Sequence, residues 1–155
     1  MDPEINTLSI EGATTIPTLK KREGGYSLKR GKITISVSTH LGDQQRKKGV
    51  RPTDANICIA NAAASEPLQV GDVFEHTGGM LDDTDKSHLA ASGYFGFHAE
   101  RVWVRWVIVD LKPSSVVFSV EAKYGGDPLS SDGVDERTCR GLFDLAPRKR
   151  SRLWT

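Results

Sequence analysis

Two runs, Arg101-Val102-Trp103-Val104-Arg105-Trp106-Val107-Ile108-Val109-Asp110 and Val116-Val117-Phe118-Ser119-Val120-Glu121-Ala122-Lys123, decide the fold, with a break between them at Lys112-Pro113-Ser114. In the first run Val102, Val104, Trp106 and Ile108 fall on one side of an extended chain, while Arg101, Trp103 and Arg105 fall on the other. In the second, Val116, Phe118, Val120 and Ala122 alternate with Val117, Ser119, Glu121 and Lys123. A period of two is the mark of a strand with one face inward. No helical pattern of crossover length separates the runs, so they are expected to pair antiparallel.

Working outward, Lys32 to Thr39 repeats the pattern, with Ile33, Ile35 and Val37 against Thr34, Ser36 and Ser38. Ile57–Ala60 and Leu68–Phe74 are shorter strand candidates, and the alanines within Asn61–Pro67 suggest a turn of helix. Thr84 as N-cap, Asp85 in the first turn and Gly93 at the far end mark a short helix. Leu142–Leu145 reads as a last edge strand. Polar loops rich in Gly and Pro fill Asp43–Thr53 and Gly125–Glu136. The expected fold class is all-β, mainly antiparallel: a β-sandwich or jelly roll of about six to eight strands with long loops and room for one short helix. The 155 residues suit one domain. Residues 1–31 read as a partly flexible N-terminal arm, 32–146 as the β-rich domain and 147–155 as a basic tail.

The net charge of +1 hides strong segregation: residues 20–51 carry +8, residues 52–100 carry −7 and the last eight carry +4. Lys20, Lys21, Arg22, Lys29, Arg30, Arg46, Lys47, Lys48 and Arg51 form one set of cations, and Arg148, Lys149, Arg150 and Arg152 form another. Cations on loops track phosphates by releasing counterions, so both sets are candidate nucleic-acid contacts. Arg101 and Arg105, flanking Trp103, would add a stacking and phosphate-binding surface; the alternative is an inter-sheet or subunit contact. Lys149 to Arg152 also fits a short nuclear-import signal, so the chain is expected in the cytoplasm or nucleus.

Catalytic signatures are sparse. There is no GxxxxGK[ST], no GxGxxG between strand and helix, no G-x-S-x-G and no HExxH. Asp82, Asp83, Asp85 and His88 are weak metal candidates, because their spacing is wrong for an EF-hand and acids at a helix start explain them more simply. His40, His76, His88 and His98 are scattered. Ser92-Gly93-Tyr94-Phe95-Gly96-Phe97 superficially matches the aromatic strand of an RNA-recognition module but in the wrong order, and core packing by Phe95 and Phe97 fits better. Cys58 and Cys139 are isolated; neither a redox pair nor a zinc set arises, and Cys58, between Ile57 and Ile59, reads as a small buried hydrophobe. No cofactor is expected. No apolar run approaches the ~20 residues of a membrane helix, and Met1-Asp2-Pro3-Glu4 does not open a signal peptide.

The long aromatic and basic strand Ala99–Val109, the polar turn Lys112–Ser115, the alternating strand from Val116 and Asp127-Pro128 together resemble the central strands of small plant-virus jelly-roll proteins, over about a fifth of the chain. That resemblance, to capsid and movement proteins, implies an antiparallel sandwich whose basic arms bind RNA or DNA. The leading expectation is therefore a non-enzymatic binding or assembly protein, associated with single-stranded RNA or DNA and able to self-associate. A protein-binding inhibitor or immunity-type module, with acidic Asp54–Glu100 masking a basic protein partner, is the alternative. A small metal-dependent hydrolase built on Asp82, Asp83, Asp85 and His88 is the third.

Overall fold

The computed structural model describes residues 5–10, 18–40, 55–79, 89–95, 99, 101–125 and 136–148. Within them lie nine strands and no helix: β1 (Thr7–Ile10), β2 (Thr18–Lys29), β3 (Lys32–His40), β4 (Ala55–Ala63), β5 (Val73–Gly78), β6 (Ala90–Phe95), β7 (Arg101–Leu111), β8 (Val116–Gly125) and β9 (Glu136–Leu145). One antiparallel ladder joins them in the order β5-β7-β8-β9-β1-β2-β3-β4-β6. The ladder folds over into two facing sheets, β5-β7-β8-β9 and β2-β3-β4-β6, bridged by short β1. Five of the eight adjacent pairs join strands consecutive in the chain, while β5–β7, β9–β1 and β4–β6 do not, and the two facing sheets are those of a β-sandwich.

The two ends of the ladder, β5 and β6, lie against each other. Counting antiparallel steps along the ladder makes them run in the same direction.

The inner faces meet in one core. Trp106, fully buried on β7, packs edge-on against Phe118 (6.0 Å, 86°) and at a tilt against Phe143 (6.4 Å). Tyr26 reaches across from β2 to Phe118 at 5.7 Å. Ile33, Ile35, Val37, Ile57 and Ile59 close the opposite wall. Burial of these side chains, at roughly 1.5–3 kcal/mol each, supplies the main drive to fold.

Several expectations are corrected. Residues 7–10 and 18–29, read as arm, form β1 and β2. Asn61–Ala63 continue β4 instead of starting a helix: Asn61 adopts φ 59° at a bulge and its N–H donates to Thr34 Oγ1 at 3.2 Å. Ala90–Gly93, expected as a helix end, belong to β6, whose residues pair with β4. β5 starts at Val73, not Leu68. Leu142–Leu145 is no edge: β9 lies between β8 and β1. Cys58 is half-buried on the outward side of β4 rather than in the core, whereas Cys139 is buried and its thiol is pushed up to about 12 by desolvation. No helix among the described residues is long and apolar enough to cross a membrane.

Candidate nucleic-acid interface

The β2–β3 hairpin turns on Arg30 and Gly31, with φ of 54° and 75°. Two successive left-handed residues make a type I′ turn, whose twist matches the strands it joins. Lys29 and Lys32 are register partners on either side. Lys29, Arg30 and Lys32 are all exposed, so backbone geometry holds three cations in one hairpin tip.

The far end of the chain comes to the same strand. Tyr26 N donates to Ala146 O at 3.3 Å, and Arg148 N donates to Tyr26 O at 2.8 Å. Arg148 then lies over Gly25, where a Cβ would stand only 2.7 Å from its Cγ. Its guanidinium donates to Ser36 Oγ at 2.7 Å. Gly25 is thus a seat: a strand glycine lets another chain segment approach closely. The Gly24-Gly25 pair carried that signal in the sequence, although a turn is the commoner meaning.

Around the seat the outward face of β2, β3, β4 and β6 is small and polar. Ser27, Thr34, Ser36, Ser38, Asn56, Cys58, Ala60, Ser92 and Tyr94 alternate with buried residues. None of these side chains is acidic. Hydroxyls and amides there can hydrogen-bond phosphate, sugar or base edges without repelling them.

The opposite outward face differs. The structure places Arg101 and Arg105 together on β7, with Trp103 between them half-buried. Arg105 pairs with Glu75 at 3.6 Å, Arg140 pairs with Glu121 at 2.7 Å, and Lys123 Nζ lies 5.6 Å from the Trp103 ring. Acids therefore accompany the cations of this face, and it offers an anion far less than the β2 side does. A shallow open depression of about 250 Å³ is lined by Arg105, Val107, Ser119, Glu121 and Arg140.

Of the remaining candidate residues, Lys20, Lys21 and Arg22 belong to β2, toward the end away from the hairpin tip. Arg46, Lys47, Lys48, Arg51, Lys149, Arg150 and Arg152 lie outside the described residues, as do Asp82, Asp83, Asp85 and His88. Among the described residues no group of three or more His, Cys, Asp or Glu is placed to hold a metal ion. Comparison with protein-family models, curated proteins and solved structures finds no match to this chain.

Proposed function

We propose that this chain is a non-enzymatic binding protein for single-stranded nucleic acid, which it grips through cations gathered along β2. The observation that carries the reading is the seating of Arg148 on Gly25 and Ser36. Two basic segments more than a hundred residues apart thereby share one strand, with Lys20–Arg22 toward one end, Lys29 and Arg30 at the other and the root of the basic tail between. Ser27, Thr34, Ser36, Ser38, Asn56 and Ser92 on the adjoining face bring no negative charge against a polyanion. Binding through phosphates is largely independent of base sequence.

The test is binding of a fluorescent single-stranded oligonucleotide across a salt series. Affinity should fall with salt, and each phosphate contact removed should flatten the log–log slope by about 0.7. The triple variant Lys29→Glu, Arg30→Glu and Arg148→Glu removes exposed side chains and leaves the core intact. Weak binding with a flatter slope supports the reading. Unchanged binding by that variant, or none by the parent protein at low salt, rejects it.

A further inference from the structure

The outward face of β5, β7, β8 and β9 carries charge in a fixed order. Register partners across the four strands read Glu75, Arg105, Glu121, Arg140, so the signs alternate minus, plus, minus, plus. Such a row is antisymmetric about its midpoint. Turned end for end, every minus lands opposite a plus. A two-fold axis lying in the plane of this face, parallel to the strands and midway between β7 and β8, performs that turn on a second copy placed face to face. Glu75 then meets Arg140 of the second copy, and Arg105 meets its Glu121.

The neighbouring rows obey the same operation. Thr77, Trp103, Lys123 and Thr138 form the next row, which sets Trp103 against Lys123 of the second copy. That is a cation–π pairing of the kind the two residues already make within one chain. On the other side run Val73, Val107, Ser119 and Leu142, which sets Val73, 46% exposed, against Leu142 of the second copy. The depression lined by Arg105 and Val107 on β7, Ser119 and Glu121 on β8 and Arg140 on β9 spans the axis. Arg105 and Val107 of the second copy face its β8 wall at Glu121 and Ser119.

We propose that this face is a homodimer interface, in which two copies pack sheet to sheet about a two-fold axis running along the β7–β8 seam. Four strands at about 4.8 Å spacing and about nine residues at about 3.3 Å give a planar patch of roughly 570 Å² per copy. That is at the lower end for specific interfaces, so the dimer is weak and sensitive to salt. The proposal does not depend on the nucleic-acid reading. It is compatible with it, because the β2 face points away from the interface in each copy and two such faces on one particle would bind a strand with avidity.

Sedimentation velocity of nucleic-acid-free protein, over a wide concentration range at low and high salt, tests it. The expected result is a monomer–dimer equilibrium shifted to monomer by salt. Arg105→Glu sets like charges against Glu121 of the second copy and should weaken association by about tenfold or more. The fourfold inversion Glu75→Arg, Arg105→Glu, Glu121→Arg and Arg140→Glu keeps alternation within each chain. It should dimerise with itself and refuse to pair with the parent protein. Circular dichroism establishes that each variant keeps its sheet; if Arg105→Glu does not fold, the inversion decides. A parent protein that stays monomeric throughout, an Arg105→Glu variant that dimerises as before, or an inverted chain that mixes freely with the parent overturns the proposal.

Discussion

Two glycines show how much a single missing Cβ can decide. At Gly141 a Cβ would meet the Phe143 ring at 2.6 Å and Thr7 O at 2.8 Å. Phe143 is fully buried and Thr7 O belongs to the paired backbone of β1, so neither can retreat cheaply. Gly141→Ala should cost about 1–3 kcal/mol through overpacking, seen as a lower urea midpoint with unchanged slope; an unchanged midpoint would show that β1 can shift. Gly25 is the contrasting case, because its nearest obstacle is the flexible side chain of exposed Arg148. Trp106 marks a different compromise: its ring fills the centre of the core while its Nε1 is buried with no hydrogen-bond partner among the described residues. Leaving that donor unpaired costs on the order of 1–3 kcal/mol, set against the large apolar area the indole removes from water.

The strands that sequence reading finds are those with strict alternation. β3 and β7 bury every second residue over most of their length, β8 does so from Phe118 to Tyr124 with Val117 buried as well, and the expected limits of all three match the structure closely. β2 is hidden because Lys-Lys-Arg-Glu-Gly-Gly lacks periodicity, and its pairing with β3 shifts register between Leu19 and Gly24. β6 is hidden because Ala, Ser and Gly are small enough for a tight sheet yet too weakly hydrophobic to show a pattern. At the end of β7 and β9, Lys112 Nζ donates to Asp144 Oδ2 at 2.9 Å, tying the β7–β8 turn to the neighbouring strand. Hydrogen bonding from Ser115, then from Lys112, holds the Asp144 carboxyl below its ordinary range. A depressed acid contributes stability above its unfolded-state pKa, about 3.9, and loses it as pH falls through the lower folded value. Asp144→Asn should therefore be less stable than the parent at neutral pH, and the gap between their urea midpoints should close in acid. A gap that persisted at the lowest pH would assign the effect to packing rather than charge.

For the whole molecule, the ladder predicts where the backbone is most protected. β8 is paired along its full length on both sides, while β5 and β6 each have one ladder partner. Amide hydrogen exchange should be slowest in β8 and markedly faster in β5 and β6; equal protection would mean that the β5–β6 seam is itself hydrogen-bonded and the sandwich a closed barrel. The two outward faces divide the molecule's surface chemistry, one with acid–base pairs in register, the other lined by Ser, Thr and Asn among its described side chains and edged by cations. By itself the sequence determined the β class, the inward residues of β3, β7 and β8 and the segregation of charge, because period-two patterning and charge count are local properties of the chain. Only the tertiary structure decided that β9 is central, that Arg148 sits on Gly25 and that Glu75, Arg105, Glu121 and Arg140 share one row. Those facts depend on register between distant strands, which is fixed when apolar faces find each other across the core and is written in no single stretch of residues.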